Sequence, residues 1–176
     1  TFSYAQNLIS YKVYQNDTIN IIDTDSLKQG IWKEFWSNGD LKSEVFYKNN
    51  KKQGLEINWF DEPDCVELEA YYKDGMLDGP SIYYTKKCKK DLFQTFKNGL
   101  KEGLELEYYP NGHIKAEGKY KKGNLDGYYR VYDKNGVFAF ESRSSDNETN
   151  LQPNIADTAN SVVFNVLKRN KKWNNK

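Results

Sequence analysis

The sequence predicts a mostly β fold in which tandem antiparallel β-hairpin repeats form one elongated curved sheet, followed by a C-terminal helix. Three observations lead to this fold class. Glycines recur about every 24 residues, at Gly30, Gly54, Gly79, Gly103 and Gly127, and such a fixed period is typical of a repeat architecture. Apolar and polar residues alternate within each half-repeat, as they do in half-buried strands. Asn-Gly and Asp-Gly pairs bound these runs, as they do in hairpins.

The fourth copy of the repeat indicates which turn joins the two strands. Its central residues 108–112 read Tyr-Tyr-Pro-Asn-Gly. A two-residue Asn-Gly turn would mix charged and apolar side chains on both faces of the hairpin. A three-residue loop, in which a type I turn is followed by a left-handed glycine bulge, instead pairs Tyr108 with Ile114. Pro110 suits the type I turn and Gly112 suits the left-handed position, so the bulged turn is predicted.

This turn predicts two faces with different roles. One face would be the core and would collect, in the fourth copy, Leu104, Leu106, Tyr108, Ile114, Ala116 and Tyr120. The same register adds Ile31 and Leu55 to the core. The other face would be wet and would carry ladders of opposite charge, with Glu56, Glu105 and Glu107 among them; such cross-strand pairs each contribute roughly 0.2–1 kcal/mol. The aromatic residues scattered on this second face are candidate partner-binding residues: Trp32, Trp36, Phe46, Phe60, Tyr83, Tyr109 and Tyr129.

The repeats occupy residues 30–142, and segments of other kinds flank them. Residues 7–29 alternate well enough to form a leading hairpin that caps the array. Residues 143–153 are interpreted as a linker. Residues 154–176 carry apolar side chains near helical spacing and Lys or Arg late in the segment, which predicts a helix and basic tail that cap the array or lie on its apolar face. Residues 1–6 read like the end of a secretory signal peptide.

Composition argues against several classes of function. The 26 basic and 25 acidic residues give a net charge of +1, whereas nucleic-acid binders carry a basic excess. No run of 18 apolar residues is present, so no transmembrane segment is predicted. His113 is the single histidine, which excludes a triad or zinc site built on several histidines. Phosphate-binding glycine motifs are missing as well. We therefore expect no enzyme activity, no metal and no cofactor.

The two cysteines, Cys65 and Cys88, are a candidate disulfide in an exported protein. They occupy nearly equivalent places in adjacent repeats. Equivalent places lie two strand spacings apart, about 9–10 Å, which exceeds the Cα limit of about 7 Å for a disulfide unless the loops bend together.

The repeat G-x(4)-Φ-Φ-x-N-G-x-Φ-K-x-E-x-x-Y-K-x-G-x-L-D-G, where Φ is apolar or aromatic, resembles the variant MORN repeat of bacterial proteins of the YwqK type, often described as antitoxin components. The resemblance covers Gly30 to Phe140 and extends to exported Bacteroidetes members of this group. It implies stacked antiparallel hairpins, a role in protein contacts, and a location in the periplasm, at the outer-membrane periphery or outside the cell. Exported proteins of this group carry O-glycans at Asp-Ser/Thr-apolar motifs, which resemble the sequence around Thr18, Ser26 and Thr158.

These observations favour an exported, non-catalytic module for protein–protein interaction or scaffolding. An antitoxin or immunity-like protein that neutralises a cognate toxin is the first alternative. A glycan-binding or cell-wall-binding surface protein is the second.

Overall fold

The fold is a single open β-sheet, seen in a computed structural model that describes residues 8–62 and 64–144. Its twelve antiparallel strands follow one another across the sheet in sequence order. They are β1 (Leu8–Tyr14), β2 (Asp17–Asp23), β3 (Lys28–Phe35), β4 (Leu41–Lys48), β5 (Lys51–Trp59), β6 (Val66–Lys73), β7 (Met76–Tyr84), β8 (Lys90–Lys97), β9 (Leu100–Tyr108), β10 (Ile114–Lys121), β11 (Asn124–Tyr132) and β12 (Phe138–Arg143). The predicted mostly β class is confirmed. The leader expected at 1–6, the helix expected at 154–176 and nearly all of the 143–153 linker lie outside the described residues.

A leading hairpin precedes the repeats. Strands β1 and β2 pair with each other, and β2 pairs with β3 through Ile21 and Ile22. The Tyr14 ring packs against Phe35 with the ring centroids 5.0 Å apart, and Ile19 is buried. These contacts join the hairpin to the first repeat strand.

Two kinds of turn alternate along the array. In the β9–β10 hairpin the Tyr109 amide donates to the His113 carbonyl and the Gly112 amide donates to the Tyr109 carbonyl, each at 2.8 Å. Gly112 has a φ of +89°, and Tyr108 pairs with Ile114. The predicted type I turn with a left-handed bulge is therefore confirmed. Two-residue turns such as Asp74-Gly75, in which both residues have positive φ, connect one long hairpin to the next.

A second bulge lies one pair beyond each three-residue loop. Tyr108 pairs with Ile114, but the next pair joins Glu107 to Ala116, so Lys115 has no opposite residue. One extra residue moves the rest of a strand to the other face. Each long hairpin contains an equivalent skipped residue, and the others are Lys42, Glu67, Asp91 and Ala139.

This second bulge makes the predicted division of the faces wrong. Leu104 stays on one face with Leu106, but Ala116 and Tyr120 move to the opposite face, which they share with Glu105. Glu105 is only 7% exposed whereas Leu104 is 38% exposed. The second copy repeats this inversion: Glu56 is buried, and Leu55, like Ile31 of the first copy, is exposed.

The buried residues follow a line across the sheet. Residues that pair directly across an antiparallel sheet share a face. We call the packed face the one that carries the paired row Trp32, Val45, Glu56, Ala70, Ser81, Gln94, Glu105, Gly118, Tyr129 and Ser142. We call the open face the one that carries the row Lys33, Glu44, Ile57, Glu69, Ile82, Phe93, Leu106, Glu117, Arg130 and Glu141. Most buried side chains lie on the packed face, where small residues alternate with carboxylates and amides.

All five repeat glycines have positive φ, and two of them also lie where neighbouring strands approach closely. Gly79 has a φ of +136°, and a Cβ added there would lie 2.9 Å from the Cβ of Tyr71. Gly103 has a φ of +101°, and its added Cβ would lie 2.7 Å from Oγ1 of Thr95. Only glycine meets both the backbone and the space requirement at these positions.

Candidate functional site

The seven aromatic residues proposed as a binding face do not share one. Trp32, Tyr83 and Tyr129 lie on the packed face and Phe46 lies on the open face. The remaining three begin the loops at one end of the sheet: Trp36, Phe60 and Tyr109. The Tyr109 hydroxyl donates to the Tyr132 carbonyl at 3.0 Å and so links two neighbouring loops. The prediction of a single aromatic face is wrong because the second bulge separates residues that the sequence register puts together.

The packed face contains two equivalent polar clusters, whose glutamates the sequence register had placed in water. Lys52 Nζ lies 2.5 Å from the Glu56 carboxylate and 4.8 Å from the centroid of the Tyr72 ring. Burial raises the pKa of the Tyr72 hydroxyl, and the neighbouring Glu56 carboxylate raises it further. The Tyr72 hydroxyl therefore remains neutral, and a hydrogen bond from Lys52 holds the buried Glu56 carboxylate, as its burial requires.

The second cluster repeats this arrangement two copies later. Lys101 and Gln94 both donate to the carboxylate of Glu105, and Lys101 Nζ lies 4.7 Å from the centroid of the Tyr120 ring. The sequence does contain a signal for both clusters, because a lysine precedes each buried glutamate by four residues, Lys52 before Glu56 and Lys101 before Glu105.

A groove lies on the packed face at the first two repeats. Its volume is about 240 Å³, and Trp32, Val45 and Tyr47 contribute its apolar and aromatic surface. The remaining lining is polar: Lys28, Glu34, Lys42, Ser43, Lys52, Glu56, Asn58 and Glu67. The Trp32 indole is oriented by its Nε1–H, which donates to the Gln29 carbonyl at 3.2 Å. The Lys28 ammonium lies 4.1 Å from the centroid of the Trp32 ring.

The open face presents apolar side chains that no other described element covers. Exposed apolar residues lie toward one end of its strands: Ile31, Phe46, Leu55, Tyr71 and Leu104. Ile31 pairs with Phe46 on β3–β4, and Leu55 pairs with Tyr71 on β5–β6, so the four side chains form two exposed apolar pairs on neighbouring hairpins. Half-buried Ile57, Ile82, Phe93 and Leu106 continue the apolar surface along the middle of the sheet.

Ion pairs close this apolar surface at both ends of the sheet. At the first repeat Lys33 Nζ lies 2.9 Å from the Glu44 carboxylate. At the last repeat Arg130 lies 2.6 Å from Glu141 and 3.4 Å from Glu117. The Arg130 guanidinium, followed by that of Arg143, lowers the pKa of Glu141 through hydrogen bonds. The middle of the open face is therefore mainly apolar, with Glu69 between Ile57 and Ile82, and its ends carry ion pairs.

Cys65 and Cys88 form a disulfide in the structure, with their Cα atoms 5.4 Å apart. The two strand spacings expected from equivalent positions do not apply, because Cys88 occupies the left-handed position of its loop, with a φ of +53°, whereas Cys65 follows that position in the neighbouring loop. The bond links the β5–β6 and β7–β8 loops. In the third copy Cys88 takes the loop position that glycine holds in the copies with an Asn-Gly turn.

The other predicted positions are dispersed. Thr18 lies exposed on β2, and Ser26 lies exposed in the β2–β3 turn with a φ of +61°; Thr158 lies outside the described residues. His113 is exposed beside the β9–β10 loop. Among residues 8–62 and 64–144, no group of three or more His, Cys, Asp or Glu side chains is placed to hold a metal ion. The same part of the chain has no helix with the length and apolar character that crossing a membrane requires.

The family comparison matches two of the long hairpins. Residues 28–49 and 101–122 match the MORN repeat variant. These segments correspond to β3–β4 and β9–β10, whose loops carry Asn-Gly, as does the loop of the β11–β12 hairpin. The hairpins β5–β6 and β7–β8 depart from that pattern through an extra loop residue and through Cys88. No curated protein matches the chain.

The MORN match agrees with the structure in what it says about architecture. MORN repeats are in general binding modules for proteins or membranes. In this chain each matched segment supplies one two-stranded unit of the sheet, and the main contacts of each unit are with its neighbours. Stacked units of this kind form an extended surface.

Proposed function

We propose that this chain is a non-catalytic module that binds a protein partner through the open face of its repeat sheet. The observation that carries the proposal is the two exposed apolar pairs, Ile31–Phe46 and Leu55–Tyr71, which lie on neighbouring hairpins of the open face. Contiguous exposed apolar surface is typical of interaction sites, and a rim of charge around an apolar centre is the usual organisation of such sites. Lys33–Glu44 and Arg130–Glu141 supply that rim at the two ends.

The packed face is less suited to a large partner. Its middle is occupied by the buried side chains that hold the sheet together, including Val45, Ala70 and Ala116. A protein that docked there would meet the Lys–Glu–Tyr clusters, whose polar atoms already bond to one another. The open face is therefore the surface that folding leaves for a partner.

Two matched cross-strand pairs allow a direct test. Leu55 and Tyr71 pair on the open face, and Leu92 and Tyr83 pair on the packed face. The two tyrosines are similarly exposed, at 43% for Tyr71 and 38% for Tyr83. Partner capture by the full chain from an extract of its native cells should be lost in Leu55→Ser/Tyr71→Ser and retained in Leu92→Ser/Tyr83→Ser. Loss with the packed-face pair alone, or no loss with the open-face pair, would contradict the proposal.

We further propose that the chain acts outside the cytoplasm, in the periplasm, at the outer-membrane periphery or outside the cell. The Cys65–Cys88 disulfide supports this, because such bonds persist in oxidising compartments. The proposal predicts that protein taken from the native envelope does not react with a thiol reagent until it is reduced. Thiol reactivity in freshly lysed cells would count against export.

Neutralisation of a toxin is one form that such a partner contact would take, and it is supported by the resemblance of the repeat to YwqK-type antitoxin components. In that form the captured partner would inhibit growth when expressed alone, and co-expression of the wild-type chain, but not of Leu55→Ser/Tyr71→Ser, would restore growth.

A further inference from the structure

We propose that the groove at Trp32 binds an uncharged carbohydrate, with the indole as the platform for a sugar ring. This site lies on the packed face and goes beyond the protein contact proposed for the open face. Its evidence is the shape of the groove, the balance of its charges and a single departure from the repeat.

The departure concerns the residue two positions after each repeat glycine. In the later copies this position holds Glu56, Ser81, Glu105 and Tyr129, and all four are buried. The first copy holds Trp32 there instead, and its side chain is half-buried and lines the groove. Since the other repeats fold without a tryptophan at this position, the stacking of hairpins does not require one.

The orientation of the indole is fixed on two sides. Its Nε1–H donates to the Gln29 carbonyl at 3.2 Å, and the Tyr47 ring meets it edge-on with centroids 5.9 Å apart. The Lys28 ammonium lies over the ring, 4.1 Å from its centroid, so a sugar ring that stacks on that face takes the place of this side chain. A rigid aromatic surface costs little entropy on binding and offers a broad apolar contact. The C–H face of a pyranose ring has the size and apolar character to pack on such a surface.

The charges in the groove balance. Its lining contains three lysines, Lys28, Lys42 and Lys52, and three glutamates, Glu34, Glu56 and Glu67, so that their formal sum is zero. Lys52 bonds to Glu56 at 2.5 Å and Lys42 lies 3.8 Å from Glu34. The third lysine, Lys28, lies over the Trp32 ring. A phosphate or carboxylate would have to compete with Glu56 for Lys52 and with Glu34 for Lys42. An uncharged ligand with many hydroxyls would instead find donors and acceptors without breaking either ion pair.

Neutral hydrogen-bonding groups extend the groove beside the indole. Ser43 and Asn58 pair directly across β4 and β5, one row along from the Trp32–Val45–Glu56 row, and both line the groove. The volume of about 240 Å³ lies just below the range of about 300–1,000 Å³ typical of drug-sized ligand pockets. The groove therefore suits a single ring with neighbouring rings lying outside.

The test uses the full chain with three uncharged probes, cellotetraose, maltotetraose and chitotetraose, followed by saturation-transfer NMR and by the shift of the Trp32 indole proton. At least one probe should bind, and Trp32→Ala should weaken it by about tenfold or more, the scale of a lost aromatic anchor. Trp59→Ala is the matched control, since Trp59 lies on the open face opposite Val66 and its loss should leave the affinity unchanged.

Asn58→Ala provides a second variant that keeps the aromatic packing intact and should also weaken binding. The inference is overturned if none of the three probes binds in the millimolar range, or if both Trp32→Ala and Asn58→Ala bind as the wild type does. It is equally overturned if only an anionic probe, tetragalacturonate or inorganic phosphate, binds. Because the Leu55→Ser/Tyr71→Ser variant leaves this groove intact, it should bind the sugar normally, so the two proposals fail independently.

Discussion

Replacing Glu105 should destabilise the sheet more than replacing its neighbour Leu104, although an exposed glutamate beside a buried leucine would be the ordinary expectation for a strand. Glu105 is 7% exposed and accepts hydrogen bonds from Gln94 and Lys101. Glu105→Ala leaves the buried Gln94 amide without its acceptor, which costs about 1–3 kcal/mol. Because Lys101 is partly exposed it can turn to water, so that its lost pair adds little.

The magnitudes separate the two variants clearly. The cavity left by the Glu105 side chain brings the expected loss for Glu105→Ala to about 2–4 kcal/mol. Leu104 is 38% exposed, so Leu104→Ala removes mostly solvated area and should cost about 1 kcal/mol or less. Glu67→Ala, at an exposed glutamate, is the control and should change the free energy of unfolding by less than about 0.5 kcal/mol.

Urea unfolding followed by both far-ultraviolet circular dichroism and tryptophan fluorescence measures these differences. Two probes are needed because repeat arrays do not always unfold in one step. If Leu104→Ala proves more destabilising than Glu105→Ala, the assignment of the two faces is refuted.

Three further predictions concern the glycines, the disulfide and the buried phenols. Gly79→Ala should cost more than Gly127→Ala, by about 1 kcal/mol or more in urea unfolding, because both positions have positive φ but only an alanine Cβ at Gly79 meets a neighbour; equal losses would contradict the close approach. Replacing Cys65 and Cys88 by serine should lower the free energy of unfolding by about 3 kcal/mol, the loop-closure entropy for their separation of 23 residues, and an unchanged urea midpoint would contradict it. Burial raises the pKa of the Tyr129 hydroxyl, so the folded state keeps a proton that the unfolded state loses above about pH 10. Its stabilising contribution is therefore complete below that pH and lost as the pH rises further, which thermal unfolding across the alkaline range measures; a stability that rose there in wild type but not in Tyr129→Phe would contradict the sign.

The repeat and its turn could be predicted from sequence because both depend on local chemistry. Gly112 after Pro110 and Asn111 selects the bulged loop on conformational grounds alone, and the structure has that loop. The period follows from glycines such as Gly79 and Gly103, which no other residue can replace without strain.

The second bulge could not be predicted in the same way. Lys115 is the extra residue in the fourth copy, and the residues that follow it alternate in the same manner with or without a bulge. The sequence therefore gives correct partners close to the turn, such as Tyr108 and Ile114, and wrong partners farther from it. The Lys–Glu–Tyr clusters escaped detection for the same reason, since a glutamate in an alternating strand normally faces water.

The groove at Trp32 shows what sequence and structure each contribute. The sequence places Trp32 among the candidate aromatic residues, but with Phe46 and Tyr109, from which the structure separates it. The register brings Ser43 and Asn58 beside it, and no pattern in the sequence connects these three residues.

Both functional proposals depend on which side chains share a face, and backbone NMR tests this most directly. Inter-strand nuclear Overhauser effects across β9 and β10 report which residue lies opposite Ala116. The structure predicts that Glu107 lies there and that Leu106 lies opposite Glu117. Effects that instead place Leu106 opposite Ala116 would remove the second bulge, return Glu105 to the solvent and contradict the assignment of the packed and open faces.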